Sequence, residues 1–119
     1  MFEKEEQAAL FQWAAVATYT FPELALMYHC PNGGSRNKIE AANLKNQGVK
    51  AGVPDIFLPA PRGRYHGLYI ELKAGNNKPT KTQARWLREL RKQGYAAYVC
   101  YGWQEARQVL VAYLRGDIE

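Results

Sequence analysis

The sequence predicts an α/β fold in which helices pack around one mixed β-sheet. Three observations carry that expectation. Segments of helical and strand character follow one another in the order helix, strand, helix, strand, strand, helix, strand, helix. Leu68 to Lys73 alternates apolar and polar side chains with the two-residue period of a strand. The chain's 119 residues, 47% of them hydrophobic and 23% charged, fit one domain over 1–119, since a typical domain holds roughly 100–150 residues. A second catalytic domain is not expected.

The elements follow in order. Glu3 to about Val16 reads as a helix, because Ala9, Leu10, Trp13, Ala14 and Val16 recur with helical spacing behind an acidic first turn that suits the helix dipole. Phe21-Pro22 ends it. Leu24 to Cys30 is apolar enough for a short buried strand, closed by the turn residues Pro31-Asn32-Gly33-Gly34-Ser35. A second helix is expected with Ser35 as N-cap, Ile39, Ala42 and Leu44 as its apolar side and Gly48 as its stop. Asp55 to Leu58 is a short strand, Pro61-Arg62-Gly63-Arg64 a loop, and Leu68 to Lys73 the clearest strand, with Tyr69, Glu71 and Lys73 on one face. Thr80 and Gln83 have capping-box spacing for a helix whose core stripe is Ala84, Leu87 and Leu90 and which ends at Gly94. Tyr95 to Tyr101 is a buried strand. Gln104 to Leu114 is the last helix.

Charge is unevenly distributed. The formal net charge is +5, yet residues 1–61 hold five basic and six acidic side chains against eleven and five in 62–119. Between Lys73 and Lys92 seven basic residues face a single acid, Glu89, which points to a polyanionic partner at that segment. No apolar run approaches the ~20 residues that span a bilayer. The acidic start Met1-Phe2-Glu3-Lys4-Glu5-Glu6 lacks the order of a signal peptide, so a cytoplasmic protein with no membrane partner is expected. Cys30 and Cys100 lack the spacing of a zinc or redox site and read as buried free thiols.

The chemistry concentrates in Asp55, Glu71 and Lys73. Neighbouring strands lie about 4.8 Å apart, so a carboxylate at the start of one can converge with a carboxylate on the next. Such a pair, with a backbone carbonyl and a substrate phosphate, suits a hard divalent cation. Lys73, two residues beyond Glu71, points the same way and can stabilise charge on a phosphate or help activate water. A Glu-x-Lys on a strand can equally be a surface ion pair worth about 0–1 kcal/mol.

Gly52-Val53-Pro54-Asp55 followed by Ile70-Glu71-Leu72-Lys73 resembles the PD-(D/E)XK nuclease motif. His29-Cys30-Pro31-Asn32-Gly33-Gly34, Thr82-Gln83-x-x-Trp86-Leu87 and Gly94-Tyr95 narrow the resemblance to its VRR-NUC branch, over about Glu6 to Leu114. The resemblance implies an α/β/α sandwich with a central mixed sheet, restriction-endonuclease-like, and phosphodiester cleavage dependent on Mg²⁺ or Mn²⁺. It implies Asp55, Glu71 and Lys73 as the catalytic core, with metal held by Asp55, Glu71 and the Leu72 backbone carbonyl. Stand-alone phage and bacterial members are similar to Holliday-junction resolvases, which implies a homodimer acting on branched DNA such as four-way junctions or flaps.

Further positions follow from the resemblance. It places an acid of the first helix near the metal, Glu6 with Glu3 as rival, where an acid favoured by the helix dipole is the other reading. Gln83 matches a glutamine beside the active site, although its capping-box spacing offers a structural role. His29 and Asn32 either hold substrate or serve as hydrogen-bonded structure. Lys81, Arg85, Arg88 and Lys92 fall at i, i+4, i+7 and i+11, one helical stripe suited to phosphates. Arg36, Arg62 and Arg64 are further phosphate candidates, and Tyr65 and His66 candidates for an unpaired base; Trp86 reads as core. Two rival functions stand beside the nuclease: a nucleic-acid-binding module without catalysis, and a nuclease subunit that needs a partner protein.

Overall fold

Four strands among the described residues pair in chain order: β1 (Tyr28–His29), β2 (Ile56–Leu58), β3 (Leu68–Lys73) and β4 (Ala96–Tyr101). This is a computed structural model that describes residues 1–32 and 37–119. β1 and β2 pair antiparallel, as do β2 and β3, whereas β3 and β4 are parallel, with Leu68 opposite Ala96 and Lys73 opposite Tyr101. A parallel pair needs a crossover. Helix α3 (Lys81–Lys92) supplies it and packs against β4. Helices α1 (Glu3–Ala17) and α4 (Trp103–Leu114) pack on each other and against β3, on the opposite face from α3. The mixed sheet between helices is the expected sandwich.

Alternation along the strands divides the two faces. Ile56, Leu58, Leu68, Ile70, Leu72 and Cys100 point into the main core with Leu10 and Ala14 of α1 and Ala106, Leu110 and Tyr113 of α4. Tyr113 is buried without an orphaned hydroxyl, since it donates to the Ala60 carbonyl at 2.6 Å. The other face carries Glu71, Lys73 and a smaller aromatic cluster. There Phe57 stacks on its cross-strand partner Tyr69 with centroids 4.3 Å apart, and Tyr28 and Tyr95 meet Phe57 edge-on. Burial and the neighbouring phenol of Tyr95 push the Tyr69 hydroxyl up to about 12.

Two sequence expectations give way here. Leu24 to Cys30 is not one buried strand: Pro22 opens a 3-10 helix, Pro22–Leu26, and only the exposed Tyr28 and His29 pair with β2. Proline's fixed φ favours that helical start, and Met27 then turns the chain to extended backbone. Helix α2 (Lys38–Asn46) is capped by Asn37, whose side chain accepts from the Ile39 and Glu40 amides at 2.9 and 3.2 Å. The expected cap Ser35 lies outside the described residues. The expected apolar side of α2 is not buried either, since Ile39 is 74% exposed and Ala42 is exposed too.

Candidate active site

Gly52 allows the loop before β2 to press against α3. Its φ is +89°, and a Cβ there would meet Thr82 Cγ2 at 2.5 Å and Trp86 Cδ1 at 3.0 Å. The Trp86 indole donates to the Ala51 carbonyl at 3.0 Å and holds the loop in place. Pro54-Asp55 follows, one residue ahead of β2, where the ladder with β3 begins at Ile56 opposite Ile70. Beyond that first pair β3 runs on alone on its β2 side. Asp55 occupies the gap, and its Oδ2 accepts from the Leu72 amide at 2.8 Å.

The register also places the Leu72 carbonyl. Lys73 turns its carbonyl toward β4, where the Gly102 amide donates to it at 3.0 Å. Successive peptide groups alternate between the two edges of a strand, so the Leu72 carbonyl points to the Asp55 side together with its amide. From the other end, the Asp55 carbonyl is fixed by the Cys30 amide at 2.6 Å and by His29 Nδ1 at 2.8 Å. His29 therefore positions the Asp55 backbone. That is the structural one of the two roles its sequence context leaves open.

Glu71 and Lys73 lie on the shared pleat and are buried at 1% and 6% exposure. Lys73 Nζ stands 3.8 Å from Glu71 Oε2. Glu71 Oε1 has no hydrogen-bond partner among the described residues. Burial, then the Asp55 carboxylate, pushes the Glu71 carboxyl far above the usual carboxylate range, with Lys73 opposing and Glu3 adding to the rise. A buried acid oxygen without a partner, beside a second carboxylate and an edge carbonyl, is a costly arrangement for the protein alone. It fits a hard cation that takes oxygen donors. Among the described residues no three His, Cys, Asp or Glu side chains come together as a ligand group, so the remaining donors of any such ion are backbone, water or substrate.

The two first-helix acids separate. Gly102 is the N-cap of α4 and has no side chain, so Glu6 reaches across from α1 and its Oε1 accepts from the Trp103 amide at 3.1 Å. Glu3, a turn earlier, is close enough to add to the Glu71 shift, and its Oε2 accepts from the Asn77 amide group at 3.3 Å. Gln83 completes the capping box of α3: its Oε1 accepts from the Thr80 amide at 2.9 Å and its own amide donates to Thr80 Oγ1 at 3.1 Å.

The VRR-NUC domain family matches residues 2–104. The chain belongs to the VRR-NUC domain family. A solved structure described as a VRR_NUC domain protein is similar throughout, with a TM-score of 0.77 and 30% identity over 97% of this chain and 89% of that one. Comparison with curated proteins yields no match. A VRR-NUC domain carries a nuclease-type function and binds DNA.

In this VRR-NUC domain the basic stripe lies on the outward side of α3, away from the buried Leu87. At about 100° per residue, Trp86 and Arg88 fall on opposite sides of the buried Leu87. Trp86 faces the Asp55 loop. Arg91 faces the outer edge of β4, where its Nε and Nη2 donate to the Ala97 carbonyl at 3.1 and 2.7 Å. Lys81, Arg85, Arg88 and Lys92 fall on the side of α3 turned away from Leu87 and are exposed, with Arg85 beside Thr82 and Trp86 and Lys92 paired to Glu89 at 3.0 Å. Lys81 starts at the Lys73 end of the sheet, and Lys92 stands about 16 Å further along at 1.5 Å per residue.

Arg62 and Arg64 lie elsewhere. The loop that carries them joins β2 to β3 at the end of the sheet remote from Glu71. Arg62 is engaged within the protein, donating to the Leu114 carbonyl, the Pro61 carbonyl and Glu23 at 3.1, 2.7 and 2.9 Å. Arg64 is exposed over the Tyr65 ring, and the Tyr65 hydroxyl donates to the Glu119 carbonyl. Arg36 falls outside the described residues. No helix of the described residues is long and apolar enough to cross a membrane.

Proposed function

We propose that this chain is a metal-dependent, structure-selective endodeoxyribonuclease that hydrolyses phosphodiester bonds in branched DNA such as four-way junctions or flaps. One observation carries the reading: Asp55, the partnerless Glu71 Oε1 and the buried Lys73 converge where the ladder between β2 and β3 ends. Asp55, Glu71 and the Leu72 carbonyl would hold Mg²⁺ or Mn²⁺. The ion, when bound, lowers the pKa of water and neutralises phosphoryl oxygens. Lys73 places an ammonium where negative charge grows on the phosphate as water adds and a P–O ester bond breaks. The hydrogen bond from the Leu72 amide and the anchored carbonyl keep Asp55 at the strand end throughout. Glu3 or Glu6 adds an acid from the first helix, and Gln83 stands at the base of α3.

Lys81, Arg85, Arg88 and Lys92 would contact phosphates, which sets affinity and register without reading bases. Selectivity then rests on DNA shape. The described residues form one such centre, so paired incision of a junction calls for a homodimer. The test is cleavage of labelled linear duplex, flap and four-way junction substrates with Mg²⁺, with Mn²⁺ and with EDTA. The proposal expects metal-dependent nicks that favour branched DNA, lost in Asp55→Ala while binding in EDTA persists. Cleavage that survives EDTA or Asp55→Ala overturns the site, and equal cutting of linear and branched DNA overturns the selectivity.

A further inference from the structure

The α3 stripe ends at a cleft that the cluster of Asp55, Glu71 and Lys73 does not use. Arg64, Tyr65, Arg91, Tyr95 and Tyr98 line it, with a volume of about 340 Å³. That size suits one small ligand. Two cations converge here from separate elements, Arg64 from the loop between β2 and β3 and Arg91 from the last turn of α3. Arg91 spends Nε and Nη2 on the Ala97 carbonyl, which fixes the guanidinium plane at the outer edge of β4. Arg64 is tethered through Nη2 to the Tyr65 hydroxyl at 3.1 Å and lies 5.1 Å from the centre of that ring. Tyr98 feels both arginines and Tyr65, so Arg64, Arg91, Tyr65 and Tyr98 form one cluster.

Cations beside half-buried aromatic rings are the combination that holds a phosphate and an adjoining base. The location agrees with this. Lys92 and Arg91 adjoin in the last turn of α3, so the cleft continues the cationic track. It lies level with Ala96 and Ala97, four to five residue pairs along the ladder from Lys73, which is about 15 Å. That separation spans a few nucleotides of DNA, where the duplex rise is ~3.4 Å per nucleotide.

We propose that this cleft receives one unpaired nucleotide of the substrate, its phosphate on Arg64 and Arg91 and its base against the Tyr65 and Tyr98 rings, a few nucleotides from the scissile bond. The inference rests on the nuclease reading and supplies a reason for preferring flapped DNA: a blunt duplex has no unpaired arm to offer. Binding is measured in EDTA on a flap and on a blunt duplex of equal length, with 2-aminopurine placed singly along the unpaired arm. Wild type is expected to quench the probe at one position of the unpaired arm, a few nucleotides from its own cleavage position, and not at the others. Arg64→Ala, a substitution on the exposed loop surface, should weaken flap binding about ten-fold relative to blunt duplex and abolish the quench, with Arg64→Lys restoring part of both. Equal loss on the two DNAs, no loss on either, or a change in sedimentation that assigns the cleft to a second copy of the chain overturns the proposal. Cleavage is read separately. A protein that cuts DNA without the arm-dependent effects overturns the subsite alone, whereas one that shows them and never cuts overturns the nuclease reading and supports the subsite.

Discussion

Glu71 shows how a single residue can be poorly placed for the protein alone and well placed for a ligand. Its carboxyl titrates above the value it has in an unfolded chain, up to about 8, chiefly because it is buried. Between the ordinary carboxylate range and that value the folded, metal-free protein holds more protons than the unfolded chain. Its stability therefore falls as pH rises through this window. Glu71→Gln should remove the slope and raise the Tm of the metal-free protein at pH 8 relative to wild type, as read by thermal melts across pH in EDTA; an unchanged profile would contradict the burial argument. Glu6 gives a second test at this scale. Glu6→Ala loses the acceptor for the Trp103 amide and should cost about 1 kcal/mol by denaturant unfolding, whereas Glu6→Gln retains it. The trio of Asp55, Glu71 and Lys73 is legible from spacing and strand parity. The Glu6 hydrogen bond is not, because it depends on Gly102 lacking a side chain and on the docking of α1 beside α4.

Elements are legible where one pattern dominates. The strict alternation of β3 and the Thr80/Gln83 box of α3 both form as their patterns predict, and both adjoin the site. The segment before Cys30 departs from its expected strand because Pro22 favours a helical start over the extended backbone that apolar content alone suggests. Helix α2 departs in its face, since three apolar residues do not ensure burial when no layer covers them. The orientation of α3 is the further element-scale finding, fixed by Trp86 on one flank and Arg91 on the other. Reversing Arg85 and Arg88 to Glu should flatten the salt dependence of DNA binding by about one unit of slope for each phosphate left without its cation. The loop before β2 gives a stability test. Gly52→Ala meets both a positive φ and the Thr82 methyl, and should destabilise by about 2 kcal/mol or more in urea unfolding.

At the scale of the molecule the charge asymmetry acquires a geometry. The nearly neutral first half contributes Asp55 and the α1 acids, and the basic second half contributes Glu71, Lys73 and the exposed stripe of α3. The two converging carboxylates, Asp55 and Glu71, thus come from different halves of the chain. Bringing Asp55 to Glu71 requires the antiparallel register of β2 on β3, which is the long-range step on which the site depends. Sedimentation of the protein with a four-way junction should show two chains per junction if paired incision operates; a single chain per junction would contradict the homodimer. The most direct measurement of the whole account is the single-turnover cleavage rate of Lys73→Ala on the best branched substrate in saturating Mg²⁺, with affinity measured in parallel. The account predicts a rate at least about a hundred-fold below wild type with DNA affinity retained. A Lys73→Ala protein that binds and cuts like wild type would contradict it.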